Sequence, residues 1–144
     1  MIEQDTIKLL KECDAGIKMG TAAIDDVLDR VDSKEFCEKL IGYKQEYNQL
    51  QDEIQIQLAE CGEDGKEPNP IAKGMSWMKT NVKLGMEESD ATIADLMTDG
   101  CDMGVKSLNR YLNEYPAADG TSKGITGRLI NLMKRQEDEI RNYL

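Results

Sequence analysis

Histidine is absent from the 144 residues. That excludes Ser–His and Cys–His nucleophile pairs. The four cysteines, Cys13, Cys37, Cys61 and Cys101, include no Cys-x-x-Cys pair, so compact zinc-site spacing is missing too. No apolar run reaches the roughly 18–20 residues that span a bilayer. The opening MIEQDTIKLLKEC is charged and lacks the apolar middle of a signal peptide, which predicts a cytoplasmic chain and argues against structural disulfides. Basic residues are few: 18 Lys and Arg stand against 28 Asp and Glu, a net charge of −10. Nucleic acid and anionic membranes both need a positive footprint, so neither is an expected partner. Aromatic residues make up 5%, and no stretch alternates apolar and polar residues as a strand does. Gly124-x-x-Gly127 lacks the Lys-Ser/Thr of a phosphate loop.

What is present is helical periodicity. Phe36, Leu40, Tyr43, Tyr47, Leu50, Ile54 and Cys61 recur at heptad-like steps. Asp32 or Ser33 can cap this helix, and Gly62 can end it. A first stripe holds Ile7, Leu10, Asp14, Ile17, Thr21, Ile24, Leu28 and Val31. A third runs through Ile93, Met97, Cys101, Val105, Leu108, Leu112 and Tyr115, after a cap at Ser89 or Asp90 and before Pro116. A fourth, capped by Thr121 or Ser122, holds Ile125, Leu129, Leu132, Gln136, Ile140 and Tyr143. Between the second and third lies a long connection. In it Asn69 can cap, Pro70 can start a helix, and Ile71, Met75, Met78 and Val82 share a face. We read one domain over 1–144, with helices at about 5–31, 34–61, 90–115 and 122–143 and a crossover helix at about 70–86. Short loops make neighbouring helices antiparallel, and a long one can return the chain along the bundle.

One phrase occurs twice. Cys13-Asp14-Ala15-Gly16-Ile17-Lys18 matches Cys101-Asp102-Met103-Gly104-Val105-Lys106, 88 residues further on, and Gln45-Glu46 returns as Gln136-Glu137. The chain therefore reads as two related helical hairpins joined by a crossover: an all-α, ferritin-like, up-down-down-up four-helix bundle with a short extra helix between helices 2 and 3. The acidic-x-Gly phrase of the first helix, Trp77 after the long connection, and Asp99-Gly100-Cys101-Asp102 in the third helix carry a family likeness. In these the chain resembles an uncharacterised group of bacterial ferritin-like four-helix-bundle proteins, a domain of unknown function. The resemblance implies the fold more firmly than any activity.

Asp14 occupies a stripe position otherwise filled by Ile, Leu and Val, and a buried carboxylate must find partners or a cation. Ferritin-like di-iron proteins take one carboxylate from each of helices 1 and 3 and Glu-x-x-His from each of helices 2 and 4. On that resemblance Asp14, Glu46, Asp102 and Glu137 are the candidate metal ligands. The histidines are replaced by Gln49 and Ile140, so a standard di-iron centre is not expected. A carboxylate-only site for a hard divalent metal is the alternative. The competing reading is a polar layer in which Asp14, Asp102, Gln136, Tyr43 and Tyr47 set the register of the helices. Gly16, Gly20, Gly100 and Gly104 suggest close approach of helices 1 and 3. Asp25, Asp26 and Asp29 oppose the dipole of helix 1 and are expected to face water or a basic partner. Three function classes remain. The favoured one is a non-catalytic bundle with no cofactor, acting by self-association or partner binding, with a homodimer through the glycine or methionine faces allowed. The others are a carboxylate-only metal-binding or vestigial ferritin-like protein, and a thiol redox protein, which would need a lowered thiol pKa.

Overall fold

The structure, a computed structural model, describes residues 2–66 and 89–144. The crossover helix expected over 70–86, with its Trp77, Met75 and Met78, lies outside those residues. The described chain forms four long helices: α1 (Ile2–Val27), α2 (Lys34–Glu60), α3 (Asp90–Glu114) and α4 (Gly120–Ile140). The stripe residues of α2 supply much of the core. Phe36, Leu40, Tyr43, Tyr47, Leu50 and Ile54 are buried as expected, and the next inward place is taken by Leu58 and not by Cys61, which is half-buried just past the helix end at Glu60. They pack with Ile17 and Ile24 of α1, Ile93 and Leu108 of α3, and Ile125, Leu129 and Ile140 of α4.

Cross-helix contacts fix the direction of each helix. Lys44 reaches Asp25 and Gln55 reaches Asp14, so α1 and α2 run antiparallel. Arg128 meets Glu53 and Tyr47 meets Gln136, so α2 and α4 are antiparallel as well. Gly104 lies against Met133, and a short loop joins α3 to α4. At one end Asp90 of α3 accepts the N–H groups of Asp32 and Ser33 at 2.8 and 2.9 Å, placing the starts of α2 and α3 side by side. The order is up-down-down-up, as the loop lengths predict.

The helix ends show where local chemistry departs from pattern. Ser33 caps α2 by accepting from the N–H of Phe36, and Ser89 caps α3 by accepting from Thr92. The cap of α4 is Asp119, not Thr121 or Ser122. Its carboxylate accepts the Ser122 N–H at 2.8 Å, while its own N–H donates to Thr6 of α1. Anchoring by Thr6 starts α4 at Gly120, two residues before the expected 122. α1 stops as an α-helix at Val27 and tightens into a 3₁₀ turn over Leu28–Arg30. Carboxylates at a helix C-terminus oppose the dipole, and tightening is one way to use the last carbonyls. Asp25 finds its basic partner within the chain, in Lys44. At α2's end Gly62 has φ +72°. Gly62 N–H donates to Ala59 O and Glu63 N–H to Leu58 O. This is a Schellman ending, which needs the left-handed residue that glycine supplies.

Gly16, Gly20 and Gly104 do not draw α1 onto α3 as the spacing suggested. A Cβ on Gly20 would face the Tyr47 ring of α2, and one on Gly104 would face Met133 of α4; one on Gly16 would meet nothing within 4 Å. Gly20 and Gly104 face large side chains of other helices.

Candidate functional site

The four carboxylates singled out by sequence lie in three separate places. Asp14 is the most enclosed, with none of its surface exposed. One oxygen accepts from Gln55 Nε2 at 2.8 Å and, more distantly, from Gln51 Nε2 at 3.4 Å. The other accepts the backbone N–H of Lys66 at 2.9 Å and pairs with Lys18 Nζ at 2.9 Å. Both oxygens are thus occupied by donors of the chain itself, one of them cationic. The residues after α2, turned back by Gly62, cover the carboxylate. Lys18 Nζ also donates to Lys66 O, and Lys66 Nζ pairs with Glu12. Sequence reasoning missed Lys66, Gln55 and Gly65. It could have read Lys18, since a cation four residues after an aspartate lies on the same helix face.

Glu46 points outward and pairs with Arg135, with both side chains about half exposed. The reason is rotational. Tyr43 and Tyr47 hold the inner stripe, and Glu46, one residue before Tyr47, stands about 100° round the helix from it. Asp102 is exposed for the same reason, because its neighbour Cys101 takes the inner position. Asp102 meets Glu137 of α4, whose carboxyl is pushed above the ordinary glutamate range. Burial is the main cause and the hydrogen bond to Asp102 the next; Arg141, 3.0 Å away, acts in the opposite direction. Two carboxyls in hydrogen-bond contact favour sharing one proton over carrying two charges.

The repeat therefore has a common geometry. In each hairpin the repeated aspartate reaches the helix paired with its own: Asp14 to Gln51 and Gln55 of α2, Asp102 to Glu137 of α4. The expected single centre built from Asp14, Glu46, Asp102 and Glu137 does not form. Among the described residues no group of three or more His, Cys, Asp and Glu side chains gathers where it could hold a metal ion. These residues do not fit a four-carboxylate centre.

The polar layer is divided as well. Tyr47 donates to Gln136 at 2.5 Å in the core, and Tyr43 donates to Glu139 nearer the surface. Burial raises the pKa of both phenols. Neither shares a hydrogen bond with Asp14. Near the bundle end the Phe36 and Tyr143 rings stack at 4.3 Å, and Tyr143 donates to Glu35 at 2.8 Å.

The buried thiols are placed against reactivity. Cys13, 3.2 Å from Thr126 Oγ1, is pushed up to about 11, chiefly by burial. Cys101 is pushed up to about 12 by burial and then by the charge of Glu137. A reactive thiol needs the reverse. The four cysteines form no disulfide.

With this geometry established, comparison with known proteins bears on the fold. The chain superposes on Dps92 from Deinococcus radiodurans with a TM-score of 0.70 at 10% identity, covering 99% of this chain and 87% of that one. The fold is ferritin-like. No protein-family model matches the chain, and no curated protein matches it in sequence. At 10% identity the likeness concerns the path of the helices and not the residues set between them.

Proposed function

We propose that this is a non-catalytic cytoplasmic helical bundle that acts by self-association or by binding a protein partner, with no resident cofactor. The observation that carries the reading is the internal closure of Asp14. The one fully buried carboxylate among the described residues is held by Lys18, Gln55 and the Lys66 N–H, so it serves the fold and not a ligand. Glu46 is paired on the surface with Arg135. The raised thiols of Cys13 and Cys101 weigh against thiol redox chemistry. The net charge of −10 disfavours nucleic acid and anionic membranes, and no described helix is long and apolar enough to cross a membrane. Ile56 and Met103, each 58% exposed, and Ile41 at 42% offer apolar contacts at the surface.

Sedimentation velocity over about a hundredfold range of concentration tests the reading, because mass action makes assembly concentration-dependent. Assembly that weakens in Ile56→Glu or Met103→Glu supports self-association. A monomer throughout retires self-association and leaves a different protein as the partner. A second reading, a hard-cation site on carboxylates alone, is favoured by the meeting of Asp102 and Glu137. Metal analysis after incubation with Mn²⁺, Fe²⁺ or Mg²⁺ distinguishes the two. Stoichiometric metal that is lost in Asp102→Ala supports the cation site and counts against the first reading.

A further inference from the structure

We propose that residues 62–66 form a latch with Asp14 as its catch, a unit that opens on its own while the four helices stay folded. The stretch Gly62-Glu63-Asp64-Gly65-Lys66 contains no apolar side chain, so it brings no hydrophobic anchor of its own. Its docking onto α1 is polar throughout. Lys66 N–H donates to Asp14 at 2.9 Å, Lys18 Nζ bridges Asp14 and Lys66 O, Lys66 Nζ pairs with Glu12, and Lys11 lies 3.4 Å from Glu63.

Two glycines fit the strap to its catch. Gly62, in the left-handed region, turns the chain back from α2. Gly65 lies so close to the Asp14 carboxylate that an added Cβ would overlap Oδ2 and press on Gln55 Nε2. The strap accordingly has two kinds of hydrogen bond. Glu63 N–H is bonded to Leu58 O within the ending of α2, whereas Lys66 N–H is bonded to Asp14, 52 residues earlier. Release of the catch leaves the first intact and breaks the second. Segments held by few apolar contacts are the ones that open locally. The device goes beyond the proposed function: a bundle that binds metal or a protein would still carry it.

Amide exchange of the full-length protein, followed residue by residue by NMR, tests the latch. Asp14→Asn should speed exchange at Lys66 by about ten- to a hundredfold, the range expected from weakening a hydrogen bond to a charged group. Glu63 and the buried amides of the four helices should lose far less protection than Lys66. Gly65→Ala, which leaves every charge in place, should do the same. Exchange at Lys66 that stays unchanged in Gly65→Ala, or that rises no more than exchange at Glu63 and the helix amides, overturns the proposal. Should Asp14→Asn fail to fold, Gly65→Ala decides alone.

Discussion

Asp14 and Asp102 hold the same place in a repeated phrase, yet one is sealed from water and the other stands in it. The difference lies in how the chain leaves each partner helix. After α2 it turns at Gly62 and lays Lys66 over Asp14, while Asp102 sits on an open face beside Glu137.

The repeat mates should therefore respond very differently to the same change. Asp14→Ala removes the catch, and the freed strap lets water reach Lys18 and the Lys66 N–H, so the cost should be about 1–2 kcal/mol. Asp102→Ala removes an exposed carboxylate and should change stability by no more than about 0.5 kcal/mol. Urea unfolding of both variants at neutral pH checks this. Equal effects would mean that Asp14 does not hold the strap.

Glu137 carries a signed pH dependence. Its carboxyl titrates above the ordinary value of 4.5 in the folded chain, so the folded state binds its proton more tightly than the unfolded state. Its contribution to stability grows as pH falls through the raised value and levels off below 4.5; above the raised value the ionised pair with Asp102 is a net cost. Glu137→Gln removes this dependence. Relative to the variant, the parent protein should gain stability as pH is lowered from neutral towards 4.5. Urea midpoints for both proteins at two pH values measure the change, and a constant difference would sink it.

The bundle was legible in the sequence because its signal is local and repeated. Phe36, Leu40, Tyr43, Tyr47, Leu50 and Ile54 lie on one stripe, and all are buried. Loop lengths were enough for the up-down-down-up order. The site was not legible to the same degree, for two physical reasons. The Lys66 donor is a backbone N–H, and backbone groups leave no mark on residue type. Glu46 and Asp102 each stand one residue from an inward position, and one residue is about 100° of helix rotation. Heptad counting places a stripe but does not resolve its edge. The exchange of Thr121 or Ser122 for Asp119 as the cap of α4 has a related cause: Thr6 of α1 holds the Asp119 N–H, a contact 113 residues apart.

The glycines of the repeat predict an ordered series. Gly16 lies within α1 with open space where a Cβ would stand, so Gly16→Ala should stabilise by up to about 1 kcal/mol through helix propensity alone. Gly20→Ala should gain as well, since its methyl would rest at an ordinary 3.6 Å from the Tyr47 ring. Gly104→Ala should gain less than either, because the new methyl would come within 2.8 Å of Met133 Sδ and displace the end of that side chain. Thermal unfolding of the three variants would test the order, and a stabilised Gly104→Ala beside a destabilised Gly16→Ala would contradict it.

Thiol accessibility gives the last prediction. Cys13 and Cys101 are buried, and burial pushes their thiols up to about 11 and about 12, so at about pH 8 almost none of either is thiolate, the form that reacts. Cys37 and Cys61 are only half-buried. Iodoacetamide added to the native protein should label Cys37 and Cys61 first, with Cys13 and Cys101 modified only as the bundle opens. Peptide mass spectrometry over a time course reads the order directly. In urea above the unfolding midpoint the four rates should converge, because burial, the main cause of the raised values, is then gone. Early labelling of Cys13 or Cys101 in the native state would mean that the core around α1 and α3 opens far more readily than its packing implies, and would return thiol chemistry to consideration.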